Sequence, residues 1–132
     1  MSHLTLQSAA YPDAPGHWYY EPSQYLPHRY ILGTVGARPL VCVGINPSTA
    51  QPAALDNTLK SVDRIARNNG YDSWIVFNVY PQRATNPNDM HAQPDTALHR
   101  ENMAWLRTVL REKPDATLWA AWGTLIEKRP YL

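Results

Sequence analysis

Three short runs in this chain are apolar at nearly every position: "PLVCVGI" at 39–45, "SWIVFNVY" at 73–80 and "ATLWAAWG" at 116–123. A strand with one wet face alternates polar and apolar residues, so a run without alternation belongs to a sheet covered on both sides. The segments between the runs repeat at the helical period. "LDNTLKSVDRIARNNG" carries Leu59, Val62, Ile65 and Ala66 on one face, with Asp56 or Asn57 placed to cap its start and Gly70 to end it. "TALHRENMAWLRTVLREKP" places Leu98, Trp105, Leu106, Val109 and Leu110 together, with Asp95 or Thr96 as the cap and Pro114 as the stop.

Strand, helix, strand, helix, strand is the order of an α/β fold, and it predicts a three-layer α/β/α domain with a mostly parallel sheet. The predicted strands span 40–45, 73–79 and 116–122, and the predicted helices 58–68 and 97–112. Upstream, "RYILGTVGARPLVCVGI" reads as two strands around a turn at Gly36-Ala37-Arg38, a hairpin arm preceding the sheet. Residues 1–27 are rich in Pro, Tyr, Ser and His without periodicity and read as an irregular arm, anchored by Trp18, Tyr19 and Tyr20. Residues 28–132 read as one domain. Trp74, Trp105, Trp119 and Trp122 all fall inside strand or helix patterns, where core packing is the simplest role.

Composition narrows the class. With 132 residues and a formal net charge of +1, the chain has the size of a single domain and no overall field drawing it to nucleic acid or membranes. Cys42 is the only cysteine, which rules out an internal disulfide and a multi-cysteine metal site and fits a reducing compartment. The N-terminus has no basic start followed by an apolar stretch, and no run reaches the roughly 20 apolar residues that span a bilayer. A cytoplasmic protein with no membrane partner is expected. His28, His91 and His99 are scattered without metal-ligand spacing, so no metal or cofactor is expected and surface or loop positions suit them best.

If the three apolar strands run parallel, their carboxyl ends share one edge, where open α/β sheets bind ligands. The first strand delivers Asn46, Pro47, Ser48 and Thr49 to that edge. The second delivers Asn78, Tyr80, Gln82, Arg83, Thr85 and Asn86, and the third Gly123 and Thr124. An amide offers one acceptor and two donors, enough to match the edge of a nucleobase or to fix a water molecule. The alternative is that Asn46 and Asn78 satisfy loop backbone at the strand exits. Arg83 has the fork geometry to clamp a phosphate, or else it pairs with Asp89 or Asp95. Ser48 lacks the G-x-S-x-G elbow of a hydrolase nucleophile, and "GTVGARP" lacks the ending of a phosphate-binding loop.

The segments "GINPSTA", "DNTLKSVDRIARNNGYDSWIVFNVYPQRATNP" and "HRENMAWL" resemble a family of bacterial and phage proteins classed as a domain of unknown function. Its pattern is an N-P-S-T-A turn, a D-x-T helix start, an N-x-x-x-x-R-x-T-x-P loop and an E-N pair on a later helix. More distantly, "GINPS" is similar to the first motif of the mismatch-specific branch of the uracil-DNA glycosylase superfamily. "WIVFNVYPQRATNP" is similar to the second-strand segment of another branch of it. That likeness implies that Asn46 holds the hydrolytic water; Ser48, the other catalytic candidate, departs from the motif, standing where a Gly or Tyr usually closes it. It implies substrate contacts from Gly44, Pro47, Thr49, Asn78, Tyr80 and Arg83, with Asn78 reading the base edge and Tyr80 in place of the usual stacking aromatic. Members of the superfamily carry a His-Pro-Ser loop after the last strand; here the sequence closes at "GTLIEKRPYL", so a truncation or a natural short form is expected. The functional expectation is a glycosylase-like protein that acts on or binds a nucleobase, a nucleotide or DNA. A non-catalytic nucleotide-binding module and a small interaction protein are the alternatives.

Overall fold

The computed structural model describes residues 4–47, 49–84, 93 and 95–120. Six strands form one sheet: β1 (Ser8–Tyr11), β2 (Ala14–Glu21), β3 (Ile31–Thr34), β4 (Pro39–Gly44), β5 (Ser73–Asn78) and β6 (Thr117–Ala120). Their spatial order is β1-β2-β3-β5-β4-β6. Two helices, α1 (Asn57–Asn68) and α2 (Thr96–Glu112), join β4 to β5 and β5 to β6.

The three apolar runs form a parallel unit, with β5 and β6 flanking β4 and Gly44 in register with Asn78. The sheet as a whole is mostly antiparallel, which corrects the expectation of a mostly parallel one: three of its five pairings, β1–β2, β2–β3 and β3–β5, are antiparallel. The stretch read as an irregular arm supplies the extra strands. Trp18, Tyr19 and Tyr20 are consecutive in β2, so they point to alternate faces; Trp18 and Tyr20 join one core, Tyr19 the other. Such a strand is buried on both sides while lacking the aliphatic run that marks β4 and β5.

The expected hairpin around residues 36–38 does not form, because β5 lies between β3 and β4. All six residues of β5 are buried, so both of its edges need partners, and β3 takes the edge that β4 leaves open. The link over 35–38 therefore crosses the start of β5. Asp72 secures the crossing by accepting from the backbone N–H groups of Ala37 and Arg38, at 3.0 and 2.8 Å. A Cβ at Gly36 would collide with the Asp72 carboxylate and the Ser73 side chain, so only glycine passes there.

The helices lie on opposite faces. Leu59, Val62 and Ala66 of α1 pack with Leu40, Cys42, Trp74 and Val76; Trp105 and Val109 of α2 pack with Val41, Ile75 and Phe77. Asp56 caps α1 by accepting from the Leu59 N–H at 2.9 Å, and Asp95 caps α2 by accepting from those of Ala97 and Leu98. Two expectations about the core need correcting. Leu110 is exposed, and the buried stripe of α2 contains Asn102 instead; Trp119, in the edge strand β6, is 36% exposed while Trp74 and Trp105 are buried. Trp122 lies outside the described residues. No helix among the described residues is long and apolar enough to cross a membrane.

Candidate functional site

Since α1 follows β4 on one face and α2 follows β5 on the other, the chain leaves these neighbouring strands in opposite directions. That divergence opens a crevice at their carboxyl ends. The crevice is a cleft of about 710 Å³ on the α1 side of the sheet, a size that suits a small ligand. Cys42 and Val76 supply its apolar strand surface, Leu59, Val62 and Ile65 its helix surface, and Trp119 a side wall. Polar lining comes from Asn46, Thr49, Asn78, Arg29 and the first turn of α1. Burial pushes the Cys42 thiol up to about 11, so it stays protonated at neutral pH and is a poor nucleophile.

Asn46 stands just beyond β4. Its Nδ2 donates to the carbonyls of Ala84 at 2.9 Å, Pro47 at 3.1 Å and Gln82 at 3.4 Å. Backbone bonds from Val79 to Gly44, Tyr80 to Ile45 and Ala84 to Pro47 run beside it, extending the β4–β5 pairing beyond the strand ends. The amide thus rivets two loops together, as the alternative role for it anticipated. With its protons committed, the group Asn46 has left is Oδ1, an acceptor.

Asn78 ends β5 and differs in kind. It is 3% exposed, lines the cleft, and its Nδ2 has no acceptor among the described residues. Such a group costs on the order of 1–3 kcal/mol to bury without a partner. Room for it exists because its register partner is Gly44: a Cβ there would stand 2.9 Å from Asn78 Oδ1. The backbone behind it is fixed from the opposite face, where buried Asn102 of α2 donates through Nδ2 to the carbonyls of Asn78 at 2.8 Å and Val79 at 3.2 Å.

Arg83 does not line the cleft. Its Nε donates to Leu26 O at 2.8 Å, its Nη1 to Ala50 O and its Nη2 to the Tyr20 hydroxyl, both at 3.0 Å, and its guanidinium lies over the Tyr25 ring. Tyr80 is fully buried outside the cleft, where its hydroxyl accepts from the Asp95 N–H at the start of α2. Arg29 does line it: 1% exposed, it donates from Nη1 to the same Ala50 carbonyl at 3.0 Å. Burial, then the nearby Arg83 charge, lowers its pKa to about 10, still protonated at neutral pH. Among the described residues no group of three or more His, Cys, Asp or Glu side chains could hold a metal ion.

The family described as "Protein of unknown function (DUF1643)" matches residues 29–131. The chain belongs to that family. No curated protein and no solved structure matches it. Every residue lining the cleft falls within the DUF1643 match, which begins at Arg29; β1 and β2 precede it.

Of the residues expected at the site, the fold of this DUF1643 member brings Gly44, Asn46, Pro47, Thr49 and Asn78 into one cleft. Tyr80 and Arg83 stand outside it, and Ser48 lies outside the described residues, as do Thr85, Asn86, Asp89, His91, Gly123 and Thr124. Sequence reasoning overlooked the roles of two residues. Asn102 carried a usable signal: a polar residue at the centre of the stripe formed by Leu98, Trp105 and Val109. Arg29 carried only the oddity of a charge directly before a buried strand.

Proposed function

We propose that the cleft binds a nucleobase or nucleotide, with Asn78 reading the edge of the base. The observation that carries this is Asn78, a cleft-lining residue whose buried amide has donors that no described residue uses. Amide donors match base carbonyls and ring acceptors, and the apolar strand and helix surfaces beside it suit the faces of a flat ring. The similarity of "GINPS" and "WIVFNVYPQRATNP" to uracil-DNA glycosylase motifs supports the same division of labour. Asn46 Oδ1 would accept from a water aimed at the sugar, while the Asn78 donors stabilise negative charge on the departing base. Acting on a base in a duplex also requires flipping the nucleotide out, at a cost of a few kcal/mol.

The test is titration of the common deoxynucleosides and deoxyuridine, followed by calorimetry or by NMR of the cleft residues. At least one should bind, and Asn78→Leu, close in shape but without donors, should weaken it roughly 10-fold while unfolding as the parent does. Failure of every nucleoside to bind at roughly millimolar concentration, or equal binding by Asn78→Leu, sinks the reading.

A binding module without turnover is the second reading. It is favoured by the placement of Tyr80 and Arg83, which leaves the cleft without the stacking aromatic and the phosphate clamp expected of them. On duplexes containing uracil, hypoxanthine or a G·T mismatch, this 132-residue chain should show no appreciable base excision. Robust turnover would restore the enzyme.

A further inference from the structure

A guanidinium as deeply buried as that of Arg29 ordinarily lies against a carboxylate, because an uncompensated charge at such depth is costly. Among the described residues no carboxylate forms a direct ion pair with Arg29; Asp56 acts on it only from a greater distance. Its one side-chain hydrogen bond among the described residues goes to a neutral carbonyl, that of Ala50, and its Nε finds no acceptor among them. Arg83 donates to the same carbonyl, so two cations converge there. Asp56 is the one carboxylate among the described cleft-lining residues, and its Oδ1 is turned to the Leu59 N–H as the cap of α1.

The same cleft includes Asn57 and Thr58, the first two residues of α1. Their N–H groups have no acceptor within the helix, and no acidic side chain occupies the first turn. A helix start alone would mean little. A helix start beside a buried guanidinium that has no direct ion pair among the described residues is a place where an anion finds donors, even with the Asp56 cap present.

We infer that the ligand of this cleft carries a phosphate, held by Arg29 and the first turn of α1, and is therefore a nucleotide rather than a free base or nucleoside. The nucleobase half of that statement rests on the reading proposed above; the anion half does not. The phosphate brings the charge that Arg29 lacks, and Asn78, from the end of β5, meets the base of the same molecule. The Nη groups of Arg29 offer donors for a two-point clamp on the phosphate.

The experiment compares each deoxynucleoside with its 5′-monophosphate, with inorganic phosphate and a short single-stranded oligonucleotide alongside, using the full chain. The monophosphate should bind at least roughly 10-fold tighter than its nucleoside, with an advantage that shrinks as salt is raised. Arg29→Gln should bring the monophosphate down to the level of the nucleoside. If that variant fails to fold, the parent's affinity ratio and its salt dependence still decide. Tighter binding of the oligonucleotide than of the monophosphate would assign the phosphate to a strand backbone; the reverse order would assign it to a free nucleotide. Equal affinity for nucleoside and monophosphate overturns the inference and leaves the nucleobase reading standing. Binding of inorganic phosphate that no nucleoside moiety improves keeps the anion subsite and defeats the nucleobase reading.

Discussion

At the end of β4 the amide of Asn46 spends its protons on three loop carbonyls, whereas at the end of β5 the amide of Asn78 finds no acceptor among the described residues. Both side chains line the same cleft, on neighbouring parallel strands. What separates them is the backbone within reach. The loop after β5 folds back across Asn46 and offers carbonyls; Gly44, opposite Asn78, offers only space. An amide satisfied by its own fold is scaffold, and one left unsatisfied on a cleft surface is available to a ligand.

The largest effect should come from the satisfied amide. Asn46→Ala takes the donor from three carbonyls and should cost roughly 2–3 kcal/mol in chemical denaturation, with ligand binding lost as the loops part. A cost below about 0.5 kcal/mol would erase the distinction between the two strand ends. Next comes Asn102→Ala, which strips the donor from the carbonyls of Asn78 and Val79. Because it also removes Asn102 Oδ1, itself buried without a partner among the described residues, the expected loss is smaller, about 1–2 kcal/mol. It should weaken nucleoside binding as well, since the backbone that aims Asn78 loses its anchor.

Asn78→Leu should behave the opposite way: stability within about 0.5 kcal/mol of the parent, or slightly above it, because an unsatisfied donor leaves the interior. The stability difference between Asn46→Ala and Asn78→Leu is the comparison in its sharpest form.

The smallest effect concerns Cys42, which lies on β4 two residues before Gly44 and lines the same cleft. Its pKa of about 11 stands above the ordinary 9.0, so folding retains the proton. The contribution is fully present below pH 9 and is lost as pH rises through about 11. At pH 8 the folded thiol should react with iodoacetamide at least ~100-fold more slowly than in the urea-unfolded chain. Comparable rates would mean that this part of the cleft is open to solvent.

These contrasts follow how far each feature could be read from residues alone. The three parallel strands, both helices and their caps were legible because each rests on short-range physics: unbroken apolar runs, a helical period, an aspartate before a first turn. The hairpin and the irregular arm failed for a shared reason, since strand partners are chosen by which edges remain unpaired, and that depends on β5, some forty residues downstream of β3. At the site, the delivery of Asn46 and Asn78 to one edge followed from strand polarity. Arg83 and Tyr80 did not enter the cleft because each was claimed by a segment distant in sequence: Arg83 by Leu26 and Tyr20, Tyr80 by the start of α2.

The sequence by itself determined that this chain builds an α/β core whose parallel strands send polar residues to a common edge, because strand burial and helix periodicity are local properties of the residues. Only the tertiary structure decided which of those residues hold the loops and which keep donors that no described residue uses. That division depends on where backbone carbonyls and unpaired charges come to rest around them. Arg29 shows it most plainly: an unremarkable charge before a strand in the sequence becomes, once buried beside the cleft with no direct ion pair among the described residues, the feature from which an anion is inferred.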